Sequence, residues 1–412
     1  ERRRELRSAW QELGTSERFL FNKLVTGSFR VGVSQRLVTR ALAETYGVEP
    51  ASVAHRMMGE WEPTAEFFAR LVDVEDDVEA SRPYPFCLAN PLTDELSALG
   101  TRDAWIAEWK WDGIRGQLIR RDNQSFLWTR GEESVLDRFP ELVAPAADLP
   151  DGVVLDGEVL AWKQRRVLPF ADLQRRIGRK KVGKKVLAEA PVVFLAFDIL
   201  EYEGVDLRGR PLAERRELLA RVAPESSAQG VVFAPPPIQA ASWSQLATLR
   251  EQSRALGVEG MMLKRSDSVY AAGRVTGTWW KWKVAPYSCD AVLIYAQRGS
   301  GRRASLFTDY TFAVWDEGRL APFAKAYSGL TDEEIREVDA YVRGHAREKF
   351  GPVVAVDPEL VFEIAFENIQ PSKRHKAGIA VRFPRILRWR RDKRPEDADT
   401  LEQVKSLLEP AC

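Results

Sequence analysis

Cysteine and histidine are both scarce in this chain of 412 residues, which contains three of each. The widely spaced Cys87, Cys289 and Cys412 can build neither a disulfide framework nor a zinc-binding cluster. No uncharged apolar run reaches the roughly 18 residues of a membrane-spanning helix, and the start at Glu1 lacks the apolar core of a signal peptide. These absences predict a cytoplasmic protein with no membrane partner.

Net charge is also nearly absent, because 61 lysines and arginines oppose 60 aspartates and glutamates. A near-neutral total neither indicates nor excludes a nucleic-acid partner, so the local clustering of basic residues is more informative. The apolar fraction of 45% and the charged fraction of 29% are ordinary for a globular protein. A chain of this length exceeds a single hydrophobic core, which predicts about two to four domains.

The chain falls into three regions of different texture. Residues 1 to about 80 have apolar positions at helical spacing, as in Glu17–Val25, Ser34–Tyr46 and Glu66–Val72. The proline-containing stretch Ser81–Pro85 ends that pattern and is typical of a linker. A second region begins near residue 104 and a third follows Pro286.

The second and third regions are rich in short β-type runs. In the second, the predicted strands are Trp105–Trp111, Gln117–Arg121, Val153–Ala161, Val192–Leu200 and Gly260–Lys264, with helices at Leu212–Arg221 and Trp243–Leu256. In the third, the predicted strands are Ala291–Gln297, Thr311–Trp315 and Leu360–Ile369, with a helix at about Thr331–Phe350. Strands of this kind around one helix favour a small Greek-key barrel such as the OB-fold.

Lys110 lies in the most distinctive segment, Glu108-Trp109-Lys110-Trp111-Asp112-Gly113-Ile114-Arg115. A lysine attacks phosphorus only as the free amine, and partial burial by Trp109 and Trp111 beside other cations would favour that form. The alternative is an exposed strand lysine that precedes an Asp-Gly turn. Taken alone, this short segment does not separate the two interpretations.

Four downstream segments supply the other groups that phosphoryl transfer needs. They are Leu155–Val159 with the carboxylate Glu158, Phe194–Leu200 with the aromatic Phe197, Glu259–Lys264 with the carboxylate Glu259, and Trp279–Lys283 with Lys281 and Lys283 on one strand face. Each has a structural alternative when taken singly, such as a core aromatic or an exposed strand edge. Together they indicate a nucleotidyl-transfer site.

These ordered segments resemble the covalent nucleotidyltransferases, and specifically the ATP-dependent DNA ligases. The resemblance continues at Val381–Ile386 and Arg390–Lys393 in the third region and at Leu24–Ser34 in the first. It implies a multidomain α+β protein that begins with an all-helical DNA-binding domain at 1–88, either truncated or naturally short at its start. An adenylation domain would follow at 89–286, with an ATP-grasp-like or nucleotidyltransferase α+β fold and antiparallel sheets. A C-terminal OB-fold β-barrel would occupy 287–412.

The resemblance also implies a role for each matching residue. Lys110 would be adenylylated by ATP, Glu108 would accept a hydrogen bond from the adenine amino group, and Phe197 would stack on the base. Arg115 and Glu158 would hold the ribose, whereas Glu158 and Glu259 would position Mg²⁺. Other nucleotide contacts would come from Arg130, Lys264, Arg274, Lys281 and Lys283, the last two on the α-phosphate. Contacts to DNA or pyrophosphate would come from Arg30, Arg385, Arg388, Arg390, Asp392 and Lys393.

The implied activity is the sealing of nicks in duplex DNA by a monomer, in replication, repair or recombination. AMP would pass from ATP to Lys110 and then to the 5′-phosphate, from which the 3′-hydroxyl displaces it. The basic runs Arg175–Lys185 and Arg382–Arg391 would contact phosphates without reading sequence. The linker near Pro286 would be a hinge.

Other classes share part of this pattern. An mRNA capping guanylyltransferase uses the same lysine chemistry but needs neither Glu108 as an adenine acceptor nor a helical domain in front. An RNA ligase also lacks the helical domain, and an NAD-dependent ligase would carry a zinc-binding cysteine cluster. A non-catalytic OB-type nucleic-acid binder would not need an intact set of Lys110, Glu158 and Glu259.

Overall fold

The computed structural model describes residues 2–26, 35–48, 50–57, 61–73, 81–93, 95–131, 134–177, 179, 182–224, 230–299 and 303–408. The chain divides into two compact units, Glu1–Val284 and Ala285–Cys412, and each is described by itself. The predicted domain boundaries after residues 88 and 286 stay predictions.

The first unit begins with helices. They are α1 (Arg2–Glu12), α2 (Thr15–Val25), α3 (Gln35–Tyr46), α4 (Pro50–Arg56) and α5 (Ala65–Leu71). The three helices predicted here are confirmed, except that the third ends at Leu71 rather than Val72 and that Ser34 lies outside the described residues. Helix α5 begins where the Thr64 hydroxyl accepts a hydrogen bond from the Phe67 amide. Phe67 then packs with Val53 and Leu71 in a small apolar core.

The rest of the first unit is mainly β-structure. Its strands are β1 (Cys87–Leu88), β2 (Asn90–Pro91), β3 (Trp105–Trp109), β4 (Ile114–Arg121), β5 (Gln124–Thr129), β6 (Val153–Lys163), β7 (Arg166–Val167), β8 (Val192–Tyr202), β9 (Val205–Asp206), β10 (Val232–Phe233), β11 (Gly260–Arg265), β12 (Gly273–Arg274) and β13 (Trp279–Lys283). Its α-helices are α6 (Val143–Ala147), α7 (Phe170–Ile177), α8 (Lys184–Glu189), α9 (Leu212–Val222) and α10 (Trp243–Glu251).

Two sheets dominate this part of the unit. A seven-stranded sheet has the order β10-β8-β6-β4-β5, with β7 paired to β6 and β9 to β8. A four-stranded sheet has the order β2-β13-β11-β3, and β1 pairs separately with β12. All pairs are antiparallel except β10 with β8, β13 with β2, and β1 with β12. The predicted antiparallel character is therefore confirmed for the central strands.

The apolar residues of β4, β6 and β8 are buried on both faces of the larger sheet. Leu118, Leu155 and Phe194 belong to one hydrophobic cluster. Ile119 belongs to another, which also contains Trp279 from the four-stranded sheet. The two sheets are therefore packed through this second cluster, and the polar residues that border it lie between them.

Two elements of the first unit are shorter than the sequence predicts. Strand β3 ends at Trp109 rather than Trp111, because its partner β11 begins at Gly260. At this end of the strand pair, the Lys110 amide donates a hydrogen bond to Gly260 O. Helix α10 ends at Glu251 rather than Leu256, since the next residues form turns with bonds such as Ser253 N to Arg250 O.

The second unit is built on another seven-stranded sheet. Its strands are β14 (Tyr287–Arg298), β15 (Phe307–Asp316), β16 (Arg319–Ala326), β17 (Ala346–Phe350), β18 (Val353–Val356), β19 (Val361–Phe366), β20 (Asn368–Pro371), β21 (Ile379–Arg382) and β22 (Arg385–Trp389), and its α-helices are α11 (Asp332–Gly344) and α12 (Leu401–Lys405). The order is β16-β15-β14-β18-β17, with β19 bridging β14 and β22, whereas β20 and β21 form a separate pair. Every pair in this unit is antiparallel.

Two predictions for the second unit are wrong in detail. The helix predicted to reach Phe350 ends at Gly344, and residues 346–350 form the exposed strand β17, which is held by pairing with β18. The strand predicted over Leu360–Ile369 is two strands, β19 and β20, which separate at Glu367. The start of α11 follows the expected chemistry, because Thr331 and Glu334 form a capping box.

Candidate active site

The four-stranded sheet presents two chemically different faces. Ala107, Met261 and Leu263 point into an apolar cluster that includes Leu246 of α10. The strand register places Glu108 and Lys281 on either side of Met262, so both belong to the opposite face. The polar residues of this sheet therefore face the larger sheet rather than the helix.

Lys110 is held against a carboxylate from a distant segment. Its Nζ lies 2.5 Å from Oε2 of Glu259, and Nζ of Lys283 lies 3.2 Å from Oε1 of the same carboxylate. Backbone bonds fix the arrangement, because the Lys110 amide donates to Gly260 O at 2.9 Å and the Glu259 amide donates to Lys110 O at 2.8 Å. Burial opposes ionisation of Glu259, but Lys110 and Lys283 outweigh it and lower the pKa of Glu259.

Gly260 makes this close arrangement possible. Its φ is +135°, and a Cβ at this position would lie 2.4 Å from the carbonyl oxygen of Trp282. Only glycine fits such a conformation and such a close approach. The Glu-Gly pair at 259–260 is therefore required by the backbone geometry that brings Glu259 to Lys110.

The tryptophans beside Lys110 pack elsewhere than expected. Trp109 joins the cluster around α10, and Trp111 packs against Trp162 at a ring separation of 6.2 Å. Lys110 keeps 23% of its side chain exposed and faces Glu259. The tryptophans thus anchor the backbone on both sides of Lys110 rather than enclosing its side chain.

Glu158 lies opposite Arg115 in the β4–β6 register. Burial raises the pKa of Glu158 to about 7, against the opposing influence of Lys110 and Arg115. Among the described residues, its carboxylate forms no side-chain ion pair. The pKa values of these two carboxylates are therefore shifted in opposite directions, because Glu259 forms ion pairs with two lysines and Glu158 does not.

A group of cations surrounds Lys281. Burial, followed by Lys283, Arg274 and Lys110, lowers the pKa of Lys281. Lys281 and Lys283 are two residues apart on β13 and therefore share a face, whereas Arg274 is exposed on β12. The four positive charges are close enough to influence one another, which suits a polyphosphate ligand.

Glu108 and Lys264 form a buried ion pair at the other end of this face. Nζ of Lys264 lies 2.7 Å from Oε2 of Glu108 and 4.2 Å from the ring centroids of both Phe197 and Trp279. Lys264 is 1% exposed. Nη1 of Arg216 in α9 lies 3.4 Å from Oε1 of Glu108, which accepts no hydrogen bond from the described residues. Oε1 of Glu108 is therefore a buried acceptor that is ion-paired with Arg216 but lacks a hydrogen bond among the described residues.

Arg115 is already occupied by protein groups. Its Nε and Nη2 donate to the buried Asp156 at 3.1 and 2.7 Å, and its Nη1 donates to Cys87 O at 2.6 Å. The Tyr270 hydroxyl also donates to Asp156, at 2.6 Å. The network ties β1, β4 and β6 together beside Phe197, so the ribose contact expected of Arg115 stays a prediction.

The side chain of Arg130 is exposed, and its amide donates to Arg115 O at 2.9 Å. Among the sequence-predicted residues, the structure thus gathers Lys110, Glu259, Glu158, Lys281, Lys283 and Arg274 at one end of the cleft and Glu108, Lys264 and Phe197 at the other. The part of the chain that the structure describes contains no cluster of three or more acidic, histidine or cysteine side chains suited to hold a metal ion.

Sequence reasoning missed Arg216 and Asp156. The buried positions of α9 are Leu212, Arg215, Arg216 and Leu219, which have the spacing of an apolar helix face. Two arginines on this otherwise apolar face were the sequence signal that could have identified Arg216, because a buried guanidinium group needs a charged or hydrogen-bonding partner. Asp156 belongs to the same segment as Glu158, Leu155–Val159. It lies two residues before Glu158 and therefore on the same face of the strand.

The basic run at 175–185 is not the continuous phosphate-binding surface that the sequence suggests. Arg176 is fully buried and donates to Glu141 and to Ala190 O, so it cannot contact DNA. Arg175 pairs with Glu189 at 2.7 Å. Lys180 and Lys181 lie outside the described residues, as does Arg30 in the predicted DNA-binding loop.

Basic residues of the second unit are paired with nearby acids. Arg385 bonds to Glu367 at 2.8 Å and Arg388 to Glu363 at 2.7 Å, whereas Arg390 lies 2.7 Å from Asp290 and 2.8 Å from Asp392. Lys393 lies 2.6 Å from Asp290. The hydrogen bond from Arg390 lowers the pKa of Asp392 to about 2. Arg385 and Arg388 lie on β22, and Arg390, Asp392 and Lys393 lie in the segment that follows it.

None of the helices in the described ranges has the length and apolarity needed to traverse a lipid bilayer. The family model described as "ATP dependent DNA ligase domain" matches residues 87–283, and the one described as "ATP dependent DNA ligase C terminal region" matches residues 303–393. The probable DNA ligase of Koribacter versatilis is 35% identical over 407 residues, covering 93% of this chain and 71% of that protein. The DNA ligase of Methanothrix thermoacetophila is 32% identical over 410 residues, covering 97% and 73%.

Solved structures show the same fold. The structure named Pmar-Lig_PreS3 aligns with a TM-score of 0.64 at 17% identity, over 94% of this chain and 83% of that chain. A structure from an analysis of Lig E DNA ligases aligns with a TM-score of 0.51 at 19% identity, over 74% and 99%. The shared core is a nucleotidyltransferase domain with antiparallel sheets. The two domain matches and the relatives that span nearly the whole chain show that the chain belongs to the ATP-dependent DNA ligases.

Proposed function

We propose that this chain seals nicks in duplex DNA through a covalent Lys110–AMP intermediate. The observation that carries the proposal is the pairing of Lys110 and Lys283 with one carboxylate, Glu259, beside Glu158 and Lys281. The arrangement joins a nucleophile, a proton acceptor and phosphate-binding cations, which phosphoryl transfer requires.

In the first step, the Lys110 ammonium loses a proton before its nitrogen attacks the α-phosphorus of ATP. Glu259 Oε2, at 2.5 Å, is placed to accept that proton. An N–P bond forms as the bond to pyrophosphate breaks, and Lys281 and Lys283 stabilise the charge on the transferring phosphoryl group. AMP then moves to the 5′-phosphate of the nick, and the 3′-hydroxyl displaces it to form the phosphodiester.

Magnesium suits the acidic residues of this cleft. Mg²⁺ is commonly held by one or two carboxylates together with substrate phosphates, and Glu158 and Glu259 are two carboxylates of that kind. Burial raises the pKa of Glu158 to about 7, and a bound cation would favour its ionised form. Glu158 and Glu259 would hold the ion, which would neutralise charge on the phosphates of ATP.

The pair of Glu108 and Lys264 accounts for selection of adenine. The buried Oε1 of Glu108 lacks a hydrogen bond and would accept one from the adenine amino group, while Lys264 would donate to a ring nitrogen. Guanine has an oxygen in the position of this amino group. That oxygen is an acceptor and could not donate a hydrogen bond to Glu108. Because Lys264 covers one face of Phe197 at 4.2 Å, the base would stack on the other.

We further propose that residues 1–88 are a helical DNA-binding domain and that residues 287–412 are an OB-fold domain. The helices α1–α5 and the antiparallel strands around α11 support this division. Arg385 and Arg388 would contact DNA phosphates, and Arg390, Asp392 and Lys393 would orient pyrophosphate. The enzyme would act as a monomer on nicked duplex DNA. It would serve replication, repair or recombination, because each of these processes leaves nicks.

Incubation with α-labelled ATP or GTP tests the mechanism. We expect an acid-labile labelled protein with ATP alone, and no labelling of Lys110→Ala. Lys163→Ala, which removes an exposed lysine, is the matched control and should label normally. Lys110→Ala should still bind duplex DNA and weakly seal a pre-adenylylated nick, because the last step needs no lysine nucleophile. Normal sealing of ordinary nicks by Lys110→Ala with ATP would place the nucleophile elsewhere.

A further inference from the structure

We propose that Arg216 is a positioning residue for base selectivity, which holds the Glu108 carboxylate so that its Oε1 faces the amino group of adenine. The inference rests on the proposed role of Glu108 in adenine recognition. It adds a residue from α9, an element that contributes no motif residue to the site.

Arg216 is placed to act on Glu108 and on the segment behind it. It is 8% exposed, and its Nη1 lies 3.4 Å from Oε1 of Glu108. Its Nη2 donates to Pro235 O at 2.8 Å, and the Ile238 amide of the same segment donates to Ala107 O at 2.8 Å, next to Glu108 on β3. Arg216 therefore bridges the carboxylate and a backbone segment bonded to the same strand.

The two carboxylate oxygens of Glu108 lie near different cations. Oε2 is paired with Lys264 at 2.7 Å, whereas Oε1 faces Arg216 but takes no hydrogen bond from it. The charge of Arg216 thus attracts Oε1 while leaving its lone pairs available. Buried polar atoms are normally hydrogen-bonded, so the ion-paired Oε1 and Nη1, which both lack a hydrogen bond among the described residues, indicate that a ligand completes this site.

The charge of Arg216 also determines what Glu108 can recognise. The amino group of adenine can donate a hydrogen bond to this carboxylate, whereas the 6-oxo group of guanine or hypoxanthine presents only an acceptor to it. Arg216→Met removes the cation that lies 3.4 Å from Oε1, so the carboxylate would no longer be held in this orientation. Loss of Arg216 should therefore weaken recognition of the 6-amino group and relax rejection of 6-oxo purines.

The experiment compares protein labelling by ATP and by inosine triphosphate, which differ at position 6. We expect Arg216→Met to lower the ATP-to-ITP ratio of kcat/KM by about tenfold or more, chiefly through KM, and Arg216→Lys to restore part of it. Arg221→Met, which removes an exposed arginine of the same helix, is the control and should keep the wild-type ratio. Both nucleotides are measured on one preparation, so the ratio does not depend on the folded fraction.

A double variant separates the possible failures. If Arg216 acts through Glu108, Glu108→Ala with Arg216→Met should have the same ratio as Glu108→Ala alone. An unchanged ratio in Arg216→Met, with a reduced ratio in Glu108→Ala, would overturn the role of Arg216 and leave that of Glu108 intact. An unchanged ratio in Glu108→Ala would overturn both. Failure of the wild-type protein to label with ATP would instead refute the proposed function.

Discussion

The two carboxylates of the cleft, Glu158 and Glu259, differ in the groups that contact them. Glu259 has a lysine on each oxygen, which favours its ionised form and lowers its pKa. Glu158 lies near the cations Lys110 and Arg115 and the carboxylates Asp156 and Glu259. Burial is the largest influence on it and raises its pKa to about 7. One residue type therefore has two electrostatic states within a single site, because the neighbours rather than the side chain set the charge.

Glu158 should make stability depend on pH in metal-free buffer. Its folded pKa of about 7 exceeds the ordinary value of 4.5 for a glutamate, so the folded protein binds the proton more tightly than the unfolded chain does. The resulting stabilisation is present below pH 4.5 and is lost as pH rises through 7. Urea unfolding at several pH values should show this decline in the wild type but not in Glu158→Gln. Parallel profiles for the two proteins would contradict the assignment, and the exposed Glu214→Gln is the control.

Glu108→Ala should relax the preference for ATP over GTP. The substitution removes the acceptor that faces the adenine amino group, and a site loses discrimination when its hydrogen-bonding partner is removed. We expect the ratio of labelling rates with ATP and GTP to fall by at least about tenfold. Retention of the full wild-type ratio would mean that backbone atoms read the base.

At the scale of elements, α9 connects the core to the base-recognition end of the cleft. Arg215 donates to Asp198 at 2.8 and 3.0 Å, and both side chains are fully buried. Asp198 follows Phe197 on β8, and Arg216 reaches Glu108 on β3. One helix thus braces the two strands that carry the predicted base contacts.

Breaking the pair of Arg215 and Asp198 should destabilise the first unit. Arg215→Met leaves a buried carboxylate uncompensated, which typically costs about 3–5 kcal/mol of unfolding free energy. Adding Asp198→Leu removes that charge and should recover part of the loss, since an apolar pair avoids the desolvation cost. Chemical denaturation of both variants measures the difference. A double variant that is less stable than Arg215→Met would argue against this explanation.

At the scale of the whole molecule, the two units divide the proposed chemistry between them. The first unit contains Lys110 and the groups that surround it, and the second contains Arg390, Asp392 and Lys393. The resemblance assigns the second group to pyrophosphate, which leaves only in the step with ATP. The units should therefore contribute unequally to different steps.

Removal of residues from about 290 onward should impair Lys110 adenylylation far more than sealing of a pre-adenylylated nick. A leaving group misplaced by about 1 Å can cost roughly a hundredfold in rate, whereas the first unit would keep its own phosphate contacts. Single-turnover assays of both steps on the truncated protein measure the two losses. Equal losses would show that the second unit serves DNA binding alone, and the hinge predicted near Pro286 would then be unnecessary.

The sequence alone determined the family and most of the helices and strands, and it singled out the segment around Lys110. These depend on residue type and on periodicity over short stretches, as in Glu108–Arg115 or the alternating Lys281 and Lys283. It misjudged residues 346–350, because every residue of that stretch is exposed and only pairing with β18 makes it a strand.

Only the tertiary structure decided which charges meet. Lys110 with Glu259, Arg115 with Asp156 and Arg216 with Glu108 join segments that are far apart in the chain. Arg176 and Arg215 occupy buried positions of their helices, although Arg176 belongs to a basic run that suggested an exposed surface. Ion pairing and burial depend on distance in space, which local sequence patterns do not contain, so the electrostatics of the site came from the fold and its chemistry from the motifs.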